Sequence, residues 1–237
     1  MKNIAIFGAN GGIGKAFIEY YLSVPEIQRI FAFSRAPIAL DDKRLISVSL
    51  DVTNEHSLEN GLAIIEEQKL DRVVVAVGTL HTEDRMPEKQ LTELSMQHFE
   101  EVFRINTYVP ALIMKYIKPY LNKKERTVIG LLSARVGSIS DNKLGGWYAY
   151  RASKAALNML IKTTAIEFKR SHKHTVIIGL HPGTVDTKLS KPYQGKLVPG
   201  QLFSAEHAVK LMANVIEKTH TEQSGQCLAY DGSVVPE

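Results

Sequence analysis

The stretch "NIAIFGANGGIGKAFIEYYLSV", residues 3–24, decides how the rest of the chain is read. Its first six residues, "NIAIFG", form a short apolar run that reads as a buried strand. Gly8, which ends that run, stands with Gly12 and Gly14 in a G-x-x-x-G-x-G pattern. From residue 13 to 24 the spacing of Ile13, Phe17 and Tyr20/Tyr21 is that of a helix. Glycine lets a chain turn sharply between a strand and a helix, and lets a pyrophosphate approach the main-chain N–H groups at the helix N-terminus. A tight turn without a ligand is the plainer alternative. Strand, glycine turn and helix in immediate succession are the context that a dinucleotide site requires, and they favour one here, with Gly8, Asn10, Gly12, Ile13 and Gly14 lining it.

The end of the second strand indicates which dinucleotide. An acidic residue about 20 residues past the glycines grips the ribose hydroxyls of NAD. Here that place reads "AFSRAP", and Ser34 and Arg35 occupy it. A hydroxyl and a guanidinium suit a 2′-phosphate, which arginine engages through two parallel charge-assisted hydrogen bonds. The expected cofactor is therefore NADP(H), ahead of NAD(H). Asp51, in "LDVTN" after the third strand, is placed to accept from an adenine amino group or to cap the next helix, with Val52 beside it.

The chain has 237 residues, 44% hydrophobic and 23% charged, with a net charge of +4. That composition fits one large α/β domain spanning 1–237. Its one cysteine, Cys227, leaves no intramolecular disulfide. No apolar run reaches the length of a membrane span, and the first apolar run is too short for a signal peptide, so a cytoplasmic location is expected. The basic run "NKKER" (122–126) solvates a turn, and no basic stripe interleaved with aromatics points to nucleic acid. No metal site is assigned. Strands are expected at 3–8, 29–34, 45–50, 71–78, 126–133, 174–181 and 226–230. Helices are expected at 13–24, 55–68, 95–121 (kinked or ended by Pro110), 149–170 and 204–219, with Ser204 as the last one's N-cap. This alternation predicts a doubly wound parallel sheet of about seven strands with helices on both faces, which binds ligands at the strands' carboxyl ends.

A second stretch carries the chemistry. In "GGWYAYRASKAALNML" (145–160), Tyr150 and Lys154 stand four apart on a helix and so share a face, whereas Tyr148 is paired at that spacing with Ala152. A free phenol has a pKa of about 10. A neighbouring ammonium lowers it, which makes the pair a general acid/base unit. The same spacing also arises as a surface pair. Joined to the glycine turn in one α/β chain, it is a strong signal of acid/base chemistry beside a dinucleotide.

With these residues in view, the chain resembles the short-chain dehydrogenase/reductase superfamily over essentially its whole length. The matching segments are "GANGGIG", "LDVTN", "VGTLH", "RINTYVP", "LLSARVGS", "YRASK" and "HPGTVDTKL". Within it, "SARVGSISDNKLGGWYAYRASKAALN", "HPGTVDTKLSKPYQ" and "YDGSVVPE" are most similar to the C-factor-like and sniffer-like carbonyl reductases. The resemblance implies a Rossmann-type domain and hydride transfer between NADP(H) and a carbonyl or alcohol. It implies that Tyr150 donates the proton, that Lys154 tunes it and binds the nicotinamide ribose, and that Asn106 holds a relay water. It further implies cofactor contacts from Val77, Gly78, Pro182, Gly183, Val185 and Thr187.

The chain departs from the family pattern in three places. The turn after strand four reads "VAVG" in place of an asparagine-rich one. Gly137 is preceded at the family's catalytic spacing by Ala134, with Ser133 one place earlier. The substrate oxygen then takes its second donor from Ser133, from Ser138 or Ser140, or has one donor fewer; Ser133 is the residue carried forward. Ser133 and Tyr150 are also separated more widely than usual, and "DNKLGG" reads as an inserted loop. The segment at about 187–203 is expected to act as a substrate flap. Tyr193, Leu197, Trp147 and Leu80 are candidates for the wall of an apolar pocket. The resemblance implies a small-molecule carbonyl or alcohol substrate. It is compatible with a homodimer or homotetramer formed through the helices at 95–121 and 149–170, or with a smaller assembly. A cofactor-binding signalling or regulatory protein without essential turnover is the alternative function. A nucleotide-sugar epimerase is a weaker one, because the long substrate region of those relatives is missing.

Overall fold

The computed structural model describes residues 1–82 and 85–237, and of Lys196 only the backbone. The chain runs β1 (Lys2–Phe7), α1 (Gly12–Leu22), β2 (Ile27–Ser34), β3 (Leu45–Ser49), α2 (Glu55–Leu62), β4 (Arg72–Val75), α3 (Met96–Phe103), α4 (Val109–Ile117), β5 (Thr127–Leu132), α5 (Tyr148–Ser171), β6 (Thr175–His181), β7 (Thr184–Val185), β8 (Leu202–Phe203), α6 (Ala205–Lys218) and β9 (Cys227–Ala229). Seven strands form one sheet in the order β3-β2-β1-β4-β5-β6-β9, and every neighbouring pair is parallel. The strand order reverses direction between β1 and β4, and a doubly wound sheet opens its ligand crevice at such a switch.

Strand periodicity divides the core into two layers. Ile4 and Ile6 of β1 face α1 and α6, where Phe17, Tyr21, Val209 and Met212 cover them. Ala5 and Phe7 face the opposite side, against residues of α2, α4 and α5 that include Leu58, Ile113, Leu157 and Ile161. Phe7 stacks on Phe33 of β2 with ring centroids 4.7 Å apart. Burial on both faces is the reason that these strands read as continuous apolar runs. Side-chain caps start three of the helices: Asn54 accepts from Ser57 N–H, Ser95 from His98 N–H and Ser204 from His207 N–H. Asp51 is therefore not the cap of α2.

Two expected helices differ in detail. The segment 55–68 is helical to Leu62, tightens into a 3₁₀ turn at Ala63–Ile65 and ends at Glu66, whose φ is 52°. The segment 95–121 is two helices joined by a π turn, Arg104–Tyr108, across which Val109 N–H returns five residues to Arg104 O. Pro110, in the first turn of α4, has no N–H to offer the Asn106 carbonyl four residues back. The break thus falls at Asn106. The pair β7–β8, which the sequence reading does not anticipate, brackets the segment expected to act as a flap. Among the described residues no helix is long and apolar enough to cross a membrane.

Candidate active site

The glycine turn joins β1 to α1 and opens at its amides. Gly11, the N-cap, has no side-chain cap, and the first turn holds no acidic residue. The leading N–H groups of α1 therefore remain available to an anion. Gly8 has φ 76°, and a Cβ there would lie 2.5 Å from Ala76 O; a Cβ on Gly14 would lie 2.2 Å from Gly8 O. Those two glycines permit the turn itself. A Cβ on Gly12 would meet only Thr187 Cγ2, at 2.9 Å, so Gly12 faces the start of the 187–203 segment across an open cradle. These residues fit a dinucleotide pyrophosphate.

A second group converges from β4, the π turn and α5. Thr79 N–H donates to Asn106 Oδ1, and Asn106 Nδ2 donates to Thr79 O, each at 2.8 Å. The same amide donates to Ser153 Oγ at 3.0 Å, and Ser153 Oγ donates to Tyr150 O at 2.8 Å. Asn106 thus holds the chain just past Gly78, the task left open by the missing asparagines of "VAVG". Gly78 keeps the approach clear, since a Cβ there would be 3.5 Å from Asn106 Oδ1 and 3.6 Å from Lys154 Nζ. Gly78, Asn106 and Lys154 therefore share one spot at the strands' carboxyl ends.

Tyr150 and Lys154 are both buried, 8% and 3% exposed. Burial pushes the Tyr150 phenol up to about 12 and the Lys154 ammonium down to about 8. The sequence argument had Lys154 lowering the phenol's pKa; in this arrangement burial wins. The ammonium donates to Leu132 O at 2.8 Å and lies 5.8 Å from the centre of the Tyr150 ring. At neutral pH the phenol is a protonated donor.

Ser133 follows β5, buried, and its Oγ donates to Asn158 Oδ1 at 2.6 Å, one turn beyond Lys154. A hydroxyl has a single proton, and this one is committed to Asn158. Ala134 is extended, so its side chain faces the other way. Ser138 Oγ accepts from Asp141 N–H, and Ser140 N–H donates to Glu237 O. The inserted loop ends in a left-handed run: Gly145 and Gly146 at φ 64° and Trp147 at φ 54°. Arg151 holds this loop through Gly145 O, Gly146 O and Val136 O, a role that no local motif announced. The turn brings Trp147 edge-on to Tyr150 at 6.2 Å and to Tyr193 at 4.9 Å, and Tyr193 meets His81 at 5.8 Å. His81 Nε2–H donates to Leu189 O at 3.1 Å and ties the loop after β4 to the 187–203 segment. Of the expected pocket residues, Trp147 and Tyr193 stand edge to face in this wall, and Leu80 is buried. After β6, Pro182 and Gly183 (φ 76°) lead to buried Val185, and Thr187 stands opposite Gly12.

At the carboxyl end of β2, Asn10 Nδ2 and Ser34 Oγ both donate to Ala36 O, which fixes the chain on either side of exposed Arg35. A groove of about 290 Å³ adjoins them, lined in part by Asn10, Lys15, Pro37 and Ile38. The Asp51 carboxylate accepts from Thr53 N–H and Oγ1, and these bonds hold it below the usual carboxylate range, with smaller help from Arg35 and Arg104. Val52 and Val77 are half-buried against the core.

Known proteins are similar to this chain in sequence or in fold. C-signal of Myxococcus xanthus is 31% identical over 146 residues, 62% of this chain and 82% of its own. The NADPH-bound carbonyl reductase from chicken fatty liver superposes with a TM-score of 0.87 at 23% identity, covering 100% of this chain and 94% of its own. Carbonyl reductase Sniffer of D. melanogaster gives the same score and identity and covers 100% of both chains. The family model for short chain dehydrogenases matches residues 2–197. That match takes in the glycine turn, Asn106 and the Tyr150–Lys154 face alike, and the chain belongs to the short-chain dehydrogenases, a family of oxidoreductases.

Proposed function

We propose that the protein is an NADP(H)-dependent reductase that converts an aldehyde or ketone to an alcohol, with Tyr150 as general acid. The observation that carries this reading is the burial of Tyr150 and Lys154 on one helix face beside Gly78 and Asn106, across from the open amides of α1. When bound, the nicotinamide supplies the hydride for reduction. Tyr150 gives its proton to the carbonyl oxygen. Lys154, charged at neutral pH, favours the phenolate left behind and is placed to hold a ribose hydroxyl. The Asn106 carbonyl, without an N–H from Pro110, is placed to hold a water that returns the proton. Ser133 contributes a second hydrogen bond only by releasing Asn158, so Tyr150 carries most of the donation. Val185 and Thr187 bound the nicotinamide end, and the 187–203 segment closes over the substrate.

The absence of an acid at the end of β2, together with exposed Arg35 and nearby Lys15, supports NADP(H) over NAD(H); the Ser34 proton is given to Ala36 O. The NADPH bound to the chicken liver neighbour agrees with it. The aromatic wall of Trp147 and Tyr193 favours a carbonyl with apolar surroundings.

The test is NADPH consumption with a panel of aldehydes and ketones. The parent is expected to turn over, and Tyr150→Phe to lose about a thousandfold while still binding NADPH. The likeness to C-signal favours a second reading, cofactor binding without essential turnover. Under it, Tyr150→Phe leaves the protein's biological activity unchanged.

A further inference from the structure

The roles assigned so far leave one buried ionisable pair unused. Glu88, in the loop between β4 and α3, is 2% exposed, and His98, in the first turn of α3, is 3% exposed. His98 Nε2 lies 3.5 Å from Glu88 Oε1. Burying both groups is costly without partners: Glu88 Oε1 and His98 Nδ1 make no hydrogen bond, and Glu88 is held through its other two oxygens. Glu88 Oε2 accepts from Ala149 N–H at 3.3 Å, and its main-chain oxygen accepts from Trp147 N–H at 2.5 Å. Those amides are the N-cap and second residue of α5, and Tyr150 is the third. The helix has no cap of its own: Trp147 makes no side-chain capping bond and the first turn holds no acidic residue. The first amides of a helix need acceptors, and a carboxylate beside them also meets the positive end of the helix dipole. Gly146, at φ 64°, supplies the left-handed backbone that brings Trp147 N–H to Glu88 O.

We propose that Glu88 is a positioning residue for Tyr150, capping the first turn of α5 from a separate loop and so fixing where the phenol points. Glu88 touches neither substrate nor cofactor and acts through the helix. This rests on the reading of Tyr150 as the general acid.

The test compares Glu88→Ala and Glu88→Gln with the parent, by amide hydrogen exchange and by steady-state kinetics with NADPH and a ketone the parent reduces. Glu88→Ala is expected to exchange about fivefold to tenfold faster at residues 147–151 with β5 unchanged. Its kcat should fall about tenfold with KM for NADPH and ketone within twofold. Glu88→Gln keeps an acceptor oxygen and should restore both. The proposal is overturned if exchange at 147–151 is unchanged, if β5 loosens equally, if kcat holds while exchange rises, or if Glu88→Gln is as impaired as Glu88→Ala. Exchange requires no substrate, so a parent without turnover would sink the general-acid reading while the cap was still measured.

Discussion

Lys154 keeps an ammonium 3% exposed, and burial alone lowers its pKa from 10.5 to about 8. Between those values the unfolded chain binds more protons than the folded one, so stability rises with pH from about 8 to 10.5. Below pH 8 both states hold the proton and the destabilisation is complete. Lys154→Met should therefore be more stable than the parent at pH 7, by up to about 3 kcal/mol, with the advantage shrinking toward pH 10.5. Urea unfolding at pH 7 and pH 10 measures this; a less stable variant at pH 7 would contradict it. The same titration predicts that the rate of carbonyl reduction declines as pH rises through about 8, where the charge supporting the Tyr150 phenolate is lost. Tyr150 and Lys154 were legible in the sequence because four-residue spacing on a helix is a local signal. The grip of Asn106 on Thr79, and Glu88 beneath Ala149, were not: each joins residues far apart in sequence that no period relates. The expected role of Ser133 met an obstacle of the same kind, a bond to Asn158 across 25 residues.

The glycine turn separates two tasks that its pattern alone does not. A Cβ on Gly14 would strike main-chain atoms, Gly8 O at 2.2 Å and Gly8 C at 2.9 Å, and backbone has no rotamer to yield. Gly14→Ala should destabilise the fold by about 3 kcal/mol or more. A Cβ on Gly12 meets only the Thr187 side chain, which can rotate. Gly12→Ala should unfold close to the parent yet bind NADPH at least about tenfold more weakly, by crowding the anion's approach to α1. Thermal unfolding with and without NADPH separates the two, and equal effects from both variants would refute the division. The buried strands and capped helices were readable because their patterns are local. The π turn at Arg104–Tyr108 and the two-residue strands β7 and β8 were not. A proline marks a break without saying what fills it, and two residues carry no period.

The site exists only in the assembled sheet, from the carboxyl ends of β1, β2, β4, β5 and β6 on both sides of the strand-order reversal. Strand–helix alternation in the sequence implies that crevice, since right-handed crossovers leave few arrangements for seven parallel strands. It could not predict how the inserted loop folds back, with Trp147 in a left-handed conformation against Tyr150 and Tyr193. We propose that this crevice binds NADP(H). The most direct measurement is thermal stability of the protein titrated with NADPH and with NADH, for the parent and Arg35→Ala. A ligand selective for the folded state at a hundred times its Kd adds about 2.7 kcal/mol. Stabilisation by NADPH is expected at concentrations where NADH has little effect, with the difference lost in Arg35→Ala. No shift with either nucleotide would contradict it.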